Sequence, residues 1–263
     1  MTACTISIDL AGPDSVLHRT VLASLPNSYR LVDGAAEVVL VSASDATAVE
    51  QAVDGGARAV VLDRPGRLSV EQLAGLEAIA EQHGCALVPA PTYAPRLAAA
   101  PDLLDGAKID LAESTITSSD SLRSSLVEQL ALLRQVLGAV ASIGVLHSSM
   151  STYTVEASMA DHPRSQVLLN GLASTSGIEE ASLHAIGRDR HLAVRIDAGP
   201  VARPADISLF DRGGRHSPWP VHQHGHRITL RLLHEMLIGG EGGISYSIDD
   251  LRHDVRLADA LTD

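Results

Sequence analysis

The chain has 263 residues, a mass of 27.6 kDa and a formal net charge of −12. Its hydrophobic content of 45% supports a packed core and excludes a disordered chain, and with only 2% aromatics that core must be aliphatic. The acidic balance, with Lys108 as the only lysine and no Lys/Arg run, excludes a nucleic-acid-binding surface.

Two cysteines, Cys4 and Cys85, form neither a disulfide framework nor a zinc motif. No stretch approaches about 18 uninterrupted apolar residues, so no membrane span is expected. The first residues, MTACTISIDLAGPDS, lack the basic and apolar regions of a secretory signal, and a cytoplasmic location is expected.

In chain order, TISIDLA reads as a strand and SVLHRTVLASL as a helix. AEVVLVSA is an apolar run suited to a strand buried on both faces. DATAVEQAVDGG follows as a helix, with Asp45 as N-cap and glycine after its end. ARAVVLD is the next strand. In SVEQLAGLEAIAEQHG, Ser69 and Gln72 have the spacing of a capping box and Gly84 sits at the C-terminal cap. CALVPA is a further strand. Strands alternating with helices predict a parallel, doubly wound sheet over residues 1–105.

Over residues 106–263 the pattern changes. KIDLAESTIT reads as a strand, and LVEQLALLRQVLG as a helix closed by Gly138. Five strand-like runs follow: SSMSTYTVEASM, SQVLLNGLAST, EEASLHAIG, HLAVRIDAG and ADISLFD. Short turns between them favour a mostly antiparallel, open-faced sheet. Two helices, RITLRLLHEML and SIDDLRHDVRLADAL, close the chain. The expected fold is therefore α/β plus α+β.

This order resembles the Gfo/Idh/MocA oxidoreductases, relatives of glucose–fructose oxidoreductase and inositol dehydrogenase, in shortened form. Members carry GKHVLCEKP at a strand end; ARAVVLDRP stands there in this chain, followed by AIAEQHGCALVPAPTY, and GGEGGISYSIDDLRHDVRLADAL resembles the family's closing segment. The resemblance implies a dinucleotide-binding domain, NAD or NADP as cofactor and a sugar-like or small polar substrate.

The positions implied by the family are altered. Leu10, Gly12 and Ser15 fall on the three glycines of its phosphate turn, so Gly12 alone survives. The strand that ends in the ribose-reading acid is expected to be missing between SLPNSYRLVDG and AAEVVLVSA, with one strand–helix unit lost. Ser42 replaces a proline. Asp63 and Arg64 replace Glu-Lys, and arginine is a permanent cation and a poor proton shuttle. The family's histidine acid/base falls on Glu128, its neighbouring aspartate on Ser124 and a further acid on Ala131.

Lost redox activity is therefore the expected state, with no cofactor. The chain would act as a partner subunit, a ligand-binding protein or a non-redox enzyme, and Arg64, Tyr93 and Glu128 would bind a small polar or anionic ligand. Arg64 and Glu128 are also the catalytic candidates; Gly12, Ser42 and Asp63 would touch a nucleotide if one binds. An NAD(P)-dependent oxidoreductase is the first alternative. The second is a metal-dependent enzyme using His222, His224 and His226 in HSPWPVHQHGHR, where a polar connector is the plainer reading. Trp219 is a packing anchor candidate. The open sheet predicts a homodimer or larger homo-oligomer.

Overall fold

The computed structural model describes residues 5–11, 16–43, 45–97, 104, 107–161, 164–198, 203–217, 222–240 and 243–261. Gly12, Ser15 and Trp219 lie outside them. The chain forms two compact units, residues 1–92 with 224–255 and residues 93–223 with 256–263. A single boundary at residue 105 does not anticipate the return of residues 224–255 to the first unit.

The first unit is a five-stranded parallel sheet in the order β2-β1-β3-β4-β5, built from β1 (Ile6–Ala11), β2 (Tyr29–Leu31), β3 (Val38–Ser42), β4 (Ala59–Asp63) and β5 (Ala86–Ala90). Every residue of β3 is buried, which is why its sequence is a continuous apolar run. One sheet face, carrying Ile6, Ile8, Val38, Leu40, Ala59 and Val61, packs with α1 (Val16–Ala23) and α5 (Gly225–Leu237) through Val21, Leu22, Leu230 and Leu233. Each such Val, Leu or Ile side chain contributes about 1.5–3 kcal/mol by leaving water. Helices α2 (Ala46–Asp54) and α3 (Val70–His83) cover the alternate residues.

Local chemistry sets these boundaries. Asp45 caps α2 by accepting from the Ala48 N–H at 2.9 Å. Ser69 and Gln72 form the expected reciprocal capping box, and Gly84 ends α3 at φ 65°.

The expected loss of the ribose-reading strand is corrected. Tyr29–Leu31 is a three-residue strand parallel to β1, and the Val32 N–H extends the pairing to the Ile8 carbonyl at 2.9 Å. Asp33 follows, exposed, at its carboxyl end. The lost element is the helix, because residues 32–37 lead straight to β3. A strand this short needs only a short return path, which relaxes the usual crossover length.

The second unit is an eight-stranded sheet in the order β13-β12-β11-β10-β6-β9-β8-β7. Its strands are β6 (Ile109–Ser118), β7 (Val140–Ser148), β8 (Thr152–Met159), β9 (Gln166–Ala173), β10 (Glu180–Gly187), β11 (Arg190–Asp197), β12 (Asp206–Asp211) and β13 (Gly214–His216). Only β6 and β9 pair in parallel. Helix α4 (Leu122–Leu137), N-capped by Ser121, packs against β6, β7, β8 and β9, where Tyr153, Val155, Ala157 and Met159 turn inward. A last helix, α6 (Ile248–Ala258), runs from the first unit's residues into the second's.

The other side of the sheet exposes Leu172, Ile186 and Phe210 to 43%, 39% and 38%. A second copy is expected to cover it. Light scattering at micromolar concentration should therefore give at least twice the chain mass of 27.6 kDa. A monomer mass alone would refute the dimer.

Candidate functional site

In a doubly wound sheet, ligands bind beyond the carboxyl ends of the strands. Asp63 is the last residue of β4 and pairs in register with Ser42, the last of β3; the Ala43 N–H donates to the Asp63 carbonyl at 2.9 Å. Two expected site residues therefore meet at this edge.

The Asp63 side chain is held from two further elements. His226, in the first turn of α5, places Nε2 2.7 Å from Asp63 Oδ1. His18, in the first turn of α1, places Nε2 3.5 Å from Asp63 Oδ2. The two imidazoles meet edge to face with centroids 5.0 Å apart. His224 stacks on His226 at 4.9 Å and caps α5. All three histidines are buried, at 7%, 4% and 3% exposure for His18, His224 and His226.

His224 Nδ1 accepts the backbone N–H of His226 at 3.3 Å, so it carries no hydrogen. His226 Nδ1 lies 3.0 Å from that same nitrogen and must donate to it. His226 Nε2 meets the Asp63 carboxylate from the other side of the ring. Burial alone would raise the Asp63 carboxyl. The hydrogen bond from His226 and the charges of His226, His18 and Arg64 outweigh it and hold the carboxyl at about 2.

The spacing His-Gly-His has a packing cause. A side-chain carbon on Gly225 would run into the Thr92 carbonyl oxygen and lie 3.2 Å from that of Pro91. Only glycine lets α5 start this close to the loop after β5, and that approach delivers His226 to Asp63.

Arg64 has φ 53° and ψ 56°, the only positive φ outside glycine among the described residues. A left-handed arginine costs about 1–3 kcal/mol, and the following proline disfavours helical values as well. The turn continues as a short 3₁₀ segment, Pro65–Arg67, with Pro65 buried. The strand ends in Asp-Arg-Pro because Asp63 is tied inward while the chain reverses sharply beneath it.

No family model and no curated protein sequence matches the chain. Solved structures do match over its whole length. The aldose–aldose oxidoreductase from Caulobacter crescentus, complexed with glycerol, superposes with a TM-score of 0.76 at 13% identity, covering 98% of this chain and 97% of that one. A point mutant of the 3-ketoreductase KijD10 from Actinomadura kijaniata, in complex with TDP-benzene and NADP, gives 0.72 at 14% identity, with 98% and 97% covered. An oxidoreductase from Agrobacterium radiobacter, in complex with NAD+, L-tartaric acid and magnesium, gives 0.64 at 13%, with 98% and 95% covered. The chain has the fold of the Gfo/Idh/MocA oxidoreductases.

Within the Gfo/Idh/MocA fold, the residues singled out from sequence separate. Ser42, Asp63 and Arg64 share the carboxyl edge of the first unit's sheet, with Arg64 half-buried. Tyr93 and Glu128 belong to the second unit, at 3% and 8% exposure. Glu128 lies on α4, which is buried almost all round. Beside it Gln129 organises a buried network, accepting from Tyr153 Oη at 2.5 Å and donating to Ser114 Oγ at 3.2 Å and the Asn170 carbonyl at 3.0 Å.

The connector reading of the histidine stretch is corrected as well. His222 is exposed in the loop, whereas His224 and His226 are buried at the head of α5. Sequence reasoning missed His18. The available signal was its place on the apolar face of α1, three and four residues before Val21 and Leu22. No helix among the described residues is long and apolar enough to cross a membrane.

Proposed function

We propose that this chain binds a small polar or anionic ligand at the carboxyl edge of its five-stranded sheet and has lost NAD(P)-dependent redox chemistry, acting as a ligand-binding protein, a partner subunit or a non-redox enzyme. One observation carries the reading: the Asp63 carboxylate is engaged by His226 and His18, and the next residue is the cation Arg64. A hydride-transfer site needs a group that gives and takes a proton beside the substrate, and a guanidinium does not do so near neutrality. It does bind carboxylates and phosphates as a two-pronged donor.

Arg64→Ala tests the ligand half of the proposal. Thermal shifts and titrations with inorganic phosphate, citrate and tartrate are the probes. At least one should bind the native protein, and the variant should lose about 1.5–3 kcal/mol of that affinity, the scale of a charge-assisted bond. Equal binding by native and variant protein, or no binding of any probe, would contradict it.

A second reading, an NAD(P)-dependent oxidoreductase for a sugar-like or small polar substrate, is favoured by β2 and Asp33. An acid at the end of this strand is positioned to hydrogen-bond a ribose. The fold-level neighbours crystallised with NAD+ or NADP point the same way.

A further inference from the structure

Three clusters could hold something beyond the polar ligand, the third of them at the same sheet edge. Lys108, Arg188 and Arg190 line a cleft in the second unit, but Asp110 and Asp189 share its rim. His184 and His191, 3.2 Å apart, stack toward Phe210 on the sheet face where a second copy is expected. The third cluster is buried and joins three distant stretches of the chain.

We propose that His18, Asp63 and His226 form a binding site for a divalent first-row transition-metal ion, zinc being the simplest occupant. The donors are two imidazole nitrogens and a carboxylate oxygen, all within 4.8 Å of one another. This is the ligand set that zinc and its neighbours accept from proteins. Tetrahedral bonds of about 2.0–2.1 Å set ligand atoms about 3.3 Å apart. His18 Nε2 already stands 3.5 Å from Asp63 Oδ2, the carboxylate oxygen other than the one His226 approaches. His226 and Asp63, at 2.7 Å, need to open by about 0.6 Å to admit the ion.

Two further features support the assignment. His226 presents Nε2 to the site while its Nδ1 donates to His224, and an outer hydrogen bond of this kind orients a ligating histidine. The Asp63 carboxylate also faces both imidazole nitrogens, which marks a place where positive charge belongs. The ion takes that place. Each donor sits on a strand end or a first helical turn, so the site is rigid. Three protein ligands leave a coordination position for water or a substrate oxygen. Arg64, a further cation acting on Asp63, opposes the ion's charge and weakens its binding.

Tag-free protein stripped with a chelator provides the test, with zinc and cobalt(II) as probes. Calorimetry should show one zinc per chain, and cobalt(II) should give visible absorption bands of low coordination number that zinc abolishes. X-ray absorption of the zinc-loaded native protein should show imidazole and carboxylate ligands and no sulfur. His18→Asn should weaken zinc by at least about tenfold, the scale on which a lost ligand or its support is felt. His222→Ala, in the exposed loop, should leave affinity unchanged. Absence of saturable binding to the native protein overturns the proposal, as does a folded His18→Asn variant that binds like native. Loss of binding in His222→Ala would place the ion on the loop and overturn it too.

Discussion

Asp63→Ala is expected to lower the unfolding free energy of the metal-free protein by about 3 kcal/mol, the scale for removing one partner of a buried ion pair. The substitution strips His226 of its 2.7 Å acceptor and His18 of its nearby anion. It also frees the head of α5, which Gly225 seats against the Pro91–Thr92 backbone. The effect carries a pH signature. The folded carboxyl lies at about 2 against 3.8 ordinarily, so its stabilisation is present above 3.8 and is lost as pH falls toward 2. Urea unfolding of native and variant protein, at neutral pH and stepwise down to about pH 3, checks both points. The gap should narrow on acidification. A neutral-pH gap under about 1 kcal/mol would mean that the pair contributes little.

Gly171→Ala should cost a similar amount, about 3 kcal/mol or more, from overpacking and a lost buried hydrogen bond. Gly171 sits directly across from Tyr153 in the β8–β9 ladder, and the tyrosine ring lies over the bare glycine. A side-chain carbon there would stand 2.7 Å from Tyr153 Cδ1 and closer still to Cε1 and Cζ. The ring cannot retreat easily, because Tyr153 is 1% exposed and its hydroxyl is held by Gln129. Displacing it strands the Gln129 amide under the sheet. Tyr153→Phe in the same background should recover little, since the ring and not the hydroxyl makes the clash. A thermal melt of Gly171→Ala within a degree or two of native would contradict this packing.

These two sites mark where sequence reasoning succeeds and where it stops. Ser69, Gln72, Gly84 and Asp45 announce helix ends because a cap is a local device, made within three or four residues. Strands β3 and β4 are legible as apolar runs because both their faces are buried. Strand β2 is not: of Tyr-Arg-Leu only Tyr29 is buried, and three residues carry no period. Strand β7 escapes for a related reason. It lies at the sheet edge with nearly every residue after Val140 exposed, so no alternation is written into it.

The site shows the same division. Asp-Arg-Pro stands out in the sequence because a polar step ends an apolar strand. That Asp63 would be claimed by His18 and His226 is a tertiary fact, since α1, β4 and α5 meet only after the chain has returned to its first unit. The histidine stretch stands out by composition, and its alternate spacing suggests His222, His224 and His226 as one set. The helix start at Gly225 divides that set and sends His226 inward to partners from other elements.

The most direct test of the central claim is calorimetric titration of metabolite-free protein with NAD+, NADH, NADP+ and NADPH. Lost redox function predicts no saturable binding in the low-micromolar range for any of the four. Arg64 in place of the expected lysine, and Leu10 and Ser15 in place of two phosphate-turn glycines, motivate that result. A low-micromolar dissociation constant for any one of them would contradict it and establish the dinucleotide-dependent reading in its place.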